Sequence, residues 1–234
     1  QTFGGSSAAN MINSSSPTFL QIIVNKPGST LTLTSNGFTV GDLTVSSGSL
    51  VFGITTARTI TVNNSLSGTG DINMSGTTHN LILNGTDNVI SSLTTDANNS
   101  TVTYSKNGDQ TLFSSFSYRN LTLGGSGIKS TTGSIRVQNI FSMAAAGSYF
   151  LNIGNNDFKL SSSASLTGTF SSTRYIITGG TGVFIKEGTN AAQLRTSMNT
   201  NGLYPVGSGG YYTPYQLSAL TATVTGTGYI SVRA

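Results

Sequence analysis

FTVGDLTVSSGSLVFGITTARTITVNNSLSGTGDINM, residues 38–74, is the stretch on which the fold reading turns. Within it FTV (38–40), LTV (43–45), ITV (60–62) and INM (72–74) alternate apolar, polar, apolar. Successive side chains of a strand point to opposite faces, so each triplet reads as a strand with one buried face. The strings between them, SSG, NNS and GTG, carry the Gly and Asn that accept positive φ and so mark turns.

The same grammar extends in both directions. LTL (31–33) lies before the stretch, and LIL (81–83), VTY (102–104), LTL (121–123), IRV (135–137) and FKL (158–160) follow it. A helix signal is confined to TNAAQLRTSM (189–198), a short capped segment. Short strands punctuated by turns suit two all-β solutions, an antiparallel sandwich or barrel and a coil-on-coil solenoid. Paired apolar positions favour the solenoid. Leu31/Leu33, Leu50/Phe52 and Ile72/Met74, then less regularly Val102/Tyr104 and Leu121/Leu123, recur at roughly 20-residue intervals, a coil length for a parallel β-helix. Many connections are also longer and richer in Ser and Thr than the two-residue turns that hairpins prefer. The expected architecture is all-β: a right-handed parallel β-helix over residues 1–170 and a Tyr-rich C-terminal β-module or cap over residues 171–234, which holds the end of the helix, a transition and part of a small antiparallel module. The second part is marked by six tyrosines, at 175, 204, 211, 212, 215 and 229, and by the longer alternation of TATVTGTGYISVRA at the end. A solenoid must cover its last coil, which gives the distinct terminal unit a physical reason.

Composition agrees. Ser, Thr, Asn and Gly form just over half of the 234 residues, while charged residues form 8% against roughly a quarter in average domains. Hydroxyls and amides must therefore wet the surface, as ladders of outward Thr and Ser on stacked strands would. With 36% hydrophobic residues and a formal net charge of +4, the chain lacks the signature of disorder. It has no apolar run of about eighteen residues, so no transmembrane span is expected. Lys and Arg are scattered singly from Lys26 to Arg233, which reads as solvated faces and argues against a nucleic-acid surface.

The inventory is poor in catalytic chemistry. Cys is absent, which removes thiol catalysis and Cys-based zinc sites, and His79 is the only histidine. His79 sits in GTTHNLILNG as a loop or strand-edge residue without a GxSxG elbow to accompany it. GGSG (124–127), GGTG (179–182) and GTG (226–228) precede no helix and read as turns, not phosphate loops. GTGDIN (68–73) carries a Gly-x-Gly-Asp fragment of the kind found in calcium-binding turns, and Asp71, Asp87 or Asp96 on adjacent coils would have to supply that site. No cofactor is expected. Asp87 and Asp109, 22 residues apart with Lys106 near, are the pair to weigh for polysaccharide cleavage; solvated turn residues are the simpler reading. STLTLTS (29–35), TITV (59–62), TVTY (101–104) and TATVTGT (221–227) would form an ice-binding face if the coils were flat and regular, and plain Thr ladders otherwise.

Two stretches resemble a known group. SYRNLTLGGSGIKSTTGSIRVQNIFSM (117–143) is similar to the coil unit Y-x-N-L-x-L-x-G-x-G-x-K, followed by a strand pair, of large secreted cell-surface proteins of Bacteroidetes. LYPVGSGGYYTPYQL (203–217) is similar to the F-P-V-G…Y-x-P-V-x-L segment that often follows such helices. The resemblance implies an adhesin-like protein exported by the type IX secretion system, placed outside the cell or at its surface after signal-peptide cleavage. Its partners would be the secretion machinery and cell-surface or matrix components, glycans among them. The group's C-terminal sorting domain is not recognisable, and Gln1 fits a processed N-terminus.

The residues and the resemblance together lead to a non-catalytic structural or adhesin-like segment. Tyr211, Tyr212 and Tyr215 are its candidate contact residues, since aromatics on a rigid sheet can stack on sugars or anchor proteins; they serve equally well as core of the terminal module. A polysaccharide-binding or polysaccharide-degrading β-helix and an ice-binding solenoid are the alternatives.

Overall fold

Ile60, Leu81 and Val102 occupy one column of the first core, each directly above the last in parallel strands, in the computed structural model of the chain. Residues 1–12, 15–95, 99–114, 116–144, 146–195, 197–198, 202–218 and 226–234 are described. The protein is nearly all β, a β-solenoid of about eight turns in parallel sheets with a small antiparallel sheet near the C-terminus. It divides into two compact units, Gln1–Lys106 and Asn107–Ala234.

The first unit contains β1 (Thr2–Phe3), β2 (Ala9–Met11), β3 (Thr18–Leu33), β4 (Phe38–Val51), β5 (Thr59–Ser67), β6 (Asp71–Asn73), β7 (Asn80–Leu83), β8 (Ser92–Thr94) and β9 (Thr101–Tyr104). Strands β3 and β4 run around a corner, so the two share one long parallel ladder interrupted by register shifts at Val24/Asn25 and Asn25/Thr30. Phe38, Ile60, Leu81 and Val102 form one inward column, and Leu31, Leu50, Ile72 and Leu93 form another. All eight are buried. Outward neighbours answer each other across coils with amides and hydroxyls. Ser105 Oγ donates to Asn84 Oδ1 at 2.7 Å, and Asn84 Nδ2 donates to Asn63 Oδ1 at 3.1 Å.

The second unit begins with β10 (Gln110–Leu112), β11 (Ser117–Leu123), β12 (Gly127–Thr131), β13 (Ile135–Met143), β14 (Tyr149–Asn152), β15 (Phe158–Leu160), β16 (Ser165–Gly168), β17 (Ile176–Ile177) and β18 (Phe184–Gly188). Helix α1 (Ala191–Arg195) follows, then β19 (Leu203–Tyr204), β20 (Val206–Ser208), β21 (Tyr211–Tyr212), β22 (Tyr215–Gln216) and β23 (Gly228–Val232). Phe158 packs between Phe141, 4.7 Å away edge-on, and Phe184, stacked at 5.4 Å. Helix α1 lies inside the stretch expected to hold it; Asn190 Oδ1 accepts from the backbone N–H of Gln193, and Gln193 Oε1 accepts from that of Thr189, which satisfies two end donors.

Parallel pairing continues beyond residue 171, with Ile176 opposite Val206 and Ile177 opposite Gly207. Antiparallel pairing enters through three short partners. β21 turns back on β20 through Gly209 and Gly210, both at positive φ, β22 pairs β19, and β23 runs antiparallel along β18.

Four cations expected on solvated faces are buried instead: Lys26, Arg58, Lys129 and Lys186. Each donates to backbone carbonyls. Lys26 Nζ reaches Gly4 O and Ser7 O at 2.8 and 3.1 Å, Lys129 Nζ reaches Gly108 O at 3.0 Å, and Lys186 Nζ reaches Ser161 O and Ser162 O at 2.6 and 3.0 Å. Arg58 bonds the carbonyls of Ser35, Phe52 and Thr56. Carbonyls that turn inward at bends have no ladder partner, and an inward ammonium or guanidinium satisfies them. These charges hold turns together and are not presented to a partner.

Candidate functional site

The tyrosines singled out in the sequence separate into three environments. Tyr211, on the hairpin after Gly210, is 75% exposed. Tyr212, its neighbour in β21, leans on buried Tyr175 with ring centroids 5.6 Å apart, and burial raises its phenol pKa. Tyr215 is 49% exposed and meets the buried Tyr204 ring edge-on at 6.2 Å, directly across the β19–β22 pair. Tyr204 donates to Leu194 O at 3.0 Å, so the support beneath Tyr215 is fixed by a buried hydrogen bond. Tyr212 is therefore partly core, and Tyr211 and Tyr215 face outward.

Tyr229 was not a candidate by sequence, yet it is 69% exposed on β23. Antiparallel register places it opposite Glu187 and places Ser231 opposite Ile185. The same face carries Lys159, whose register partners are Arg136 and Ile185. Lys159, Val183, Ile185, Glu187, Tyr229 and Ser231 line an open groove of ≈460 Å³. A smaller hollow of ≈220 Å³ is lined by Tyr215, Ile230, Ser231, Val232 and Arg233. Ser231 belongs to both, and β23 supplies lining residues to each.

The groove's charges are paired. Arg136 grips both oxygens of Glu187, Nη1 donating to Oε1 at 2.8 Å and Nη2 to Oε2. Lys159 Nζ lies 3.6 Å from Asp157 Oδ2, and Asp157 Oδ1 accepts from the backbone N–H of Val183 at 3.3 Å. A carboxylate held in a bidentate clamp is fixed in orientation. The arrangement can hold a polar ligand.

Other sequence candidates lie elsewhere. His79 lies at the edge of β7, as expected, and is buried: its Nδ1 accepts from the backbone N–H of Arg58 at 3.1 Å, so Nε2 carries the proton and donates to Gly53 O at 3.0 Å. Ser100 Oγ accepts from the backbone N–H of His79 and donates to the carbonyls of Met74 and Thr77. Both ring nitrogens are thus engaged by backbone groups. Burial first, then the Arg58 charge, lowers its pKa against the opposing bond to Gly53 O.

Asp71 accepts from Ser49 Oγ at 3.4 Å in the first unit, which also holds Asp87; Asp109, in the second unit, accepts from the backbone N–H of Ile128 at 2.8 Å. Asp96 lies outside the described residues, as do positions 221–225 of the TATVTGT stretch. Among the described residues, no three His, Asp or Glu side chains gather as a metal site, and no helix is long and apolar enough to cross a membrane. The outward Thr rows are mixed: Ile82 interrupts Thr39, Thr61 and Thr103, and Val51 and Asn73 stand between Thr32 and Thr94.

No protein-family model, curated protein or solved structure matches this chain.

Proposed function

We propose that this chain is a non-catalytic, extracellular, adhesin-like segment, exported through the type IX secretion system, whose solenoid displays a contact surface on its C-terminal sheet. The observation that carries the reading is the deployment of charge. Lys26, Arg58, Lys129 and Lys186 are buried against backbone carbonyls, and Glu187, the sole glutamate, is clamped by Arg136. Catalysis of glycosidic cleavage needs a pair of carboxyls with divided acid and base roles, or a base beside a charge-neutralising site. Here four cations are spent on turns and the one glutamate on a cross-strand pair. The outward hydroxyls and amides, with exposed Tyr211, Tyr215 and Tyr229 among them, suit a surface for holding.

Incubation of the purified chain with a panel of plant and bacterial polysaccharides tests this directly. The reading expects no growth in reducing ends and no ultraviolet absorbance from unsaturated uronates. Sustained release of either product overturns it. Antibody raised against the chain should label intact, unpermeabilised cells of the organism that makes it; signal that appears only after lysis contradicts the extracellular placement.

A further inference from the structure

We infer that the two hollows flanking β23 form one binding track for an unbranched, uncharged polysaccharide, with Tyr229 and Tyr215 as the stacking platforms; this deepens the contact-surface reading above and rests on it. Sugar rings have apolar faces and hydroxylated edges, so a site for them needs exposed aromatic faces beside fixed donors and acceptors. Tyr229, at 69% exposure, borders the ≈460 Å³ groove, and Tyr215, at 49%, borders the ≈220 Å³ hollow. Ser231 lines both, so β23 is the strand that the track crosses. The larger groove lies within the ~300–1,000 Å³ range of small-molecule sites.

Charge selects the class of sugar. Arg136 and Glu187 neutralise each other, as do Lys159 and Asp157, so the larger groove has no surplus charge to attract a polyanion. The clamped carboxylate still presents acceptor capacity, and Lys159 presents donors, to hydroxyls placed between them. The rigidity of that pair lowers the ordering cost when a ligand docks. Arg233 in the smaller hollow is the feature that would favour an acidic sugar, and it makes that alternative worth an arm of the test.

Titration calorimetry of the intact chain against cellopentaose, laminaripentaose, maltopentaose and oligogalacturonate distinguishes the cases. At least one neutral pentaose should bind saturably. Tyr229→Ala and Tyr215→Ala should each weaken it about tenfold, and Leu20→Ala, at an exposed position that lines neither hollow, should leave it unchanged. All three side chains are exposed, so circular dichroism should report the same fold for each variant. Absence of binding by every neutral sugar, binding by oligogalacturonate alone, or affinity indifferent to Tyr229 and Tyr215 overturns the track. Those failures leave the non-catalytic reading standing, whereas cleavage of a bound pentaose overturns that reading and leaves the track in place.

Discussion

The backbone N–H of Arg58 donates to Nδ1 of His79 at 3.1 Å, which fixes the imidazole as its neutral Nε2–H form in the core of the first unit. A proton on Nδ1 would face that N–H donor and add a second positive charge beside Arg58. Burial first, with the Arg58 charge adding to it, holds the folded pKa below the ordinary 6.5.

Acid should therefore weaken the fold through this residue. Above pH 6.5 both folded and unfolded His79 are neutral; as pH falls below it the unfolded chain takes up a proton that the folded one resists, and stability declines until the folded pKa is passed. Each unit of separation is worth about 1.4 kcal/mol. Urea midpoints between pH 7 and 4.5 should fall more steeply for the wild type than for His79→Gln. Equal slopes would mean that the tautomer lock contributes nothing.

Lys186 predicts a change of the opposite range. Buried and bonded to Ser161 O and Ser162 O, its ammonium has a pKa lowered from 10.5 to about 8 by desolvation, with Glu187 opposing. Between about pH 8 and 10.5 the unfolded chain holds the proton that the folded chain has released, so this residue makes stability rise with pH across that window. The gain is on the order of a few kcal/mol. Lys186→Met should lack the rise. Buried tyrosines such as Tyr149, pushed up to about 12, act in the reverse sense but equally in both proteins, so the difference between the two denaturation series isolates Lys186.

Two glycines at corners of the first unit separate backbone conformation from crowding. Gly28 and Gly48 both have left-handed φ, of 65° and 69°. A Cβ at Gly48 would lie 1.9 Å from Lys26 O, whereas a Cβ at Gly28 meets nothing within 4 Å. Gly28→Ala should cost about 1 kcal/mol from conformation alone, and Gly48→Ala should cost more, since coil backbones must also part. Similar urea midpoints for the two variants would contradict the close approach of those corners.

Much of the fold was legible because its inward residues obey period two. All ten triplets read from the sequence, from LTL at 31–33 to FKL at 158–160, show the buried, half-exposed, buried pattern. The columns were less legible. Leu31, Leu50 and Ile72 do stack, but their next partner is Leu93, while Val102 belongs with Phe38, Ile60 and Leu81. Apolar triplets from two faces of a coil look alike, and hydropathy does not say which face each occupies. In FIKEG (184–188) hydropathy would turn Ile185 inward; the register set by Phe184 turns Lys186 inward instead, because carbonyls at Ser161 and Ser162 await a donor.

The candidate site was half legible. Tyr215 stood out within a tyrosine cluster, but Tyr229 stood alone in GTGYISV, and only the return of β23 along β18 sets it beside Glu187. The Arg136–Glu187 clamp spans 51 residues, a separation that no local pattern reports.

Disulfide trapping in this cysteine-free chain tests the parallel stacking on which everything else stands. Thr59 faces Asn80 and Thr61 faces Ile82 across β5 and β7, at a strand spacing of ~4.8 Å that a disulfide can bridge. The crossed pairs Thr59/Ile82 and Thr61/Asn80 lie about 8 Å apart in this register, beyond disulfide reach. Oxidation of the double-cysteine variants should link Thr59→Cys with Asn80→Cys and Thr61→Cys with Ile82→Cys, and leave both crossed pairs open. Rapid linkage of the crossed pairs, with the direct pairs remaining reduced, would show the two segments running antiparallel and would contradict the solenoid.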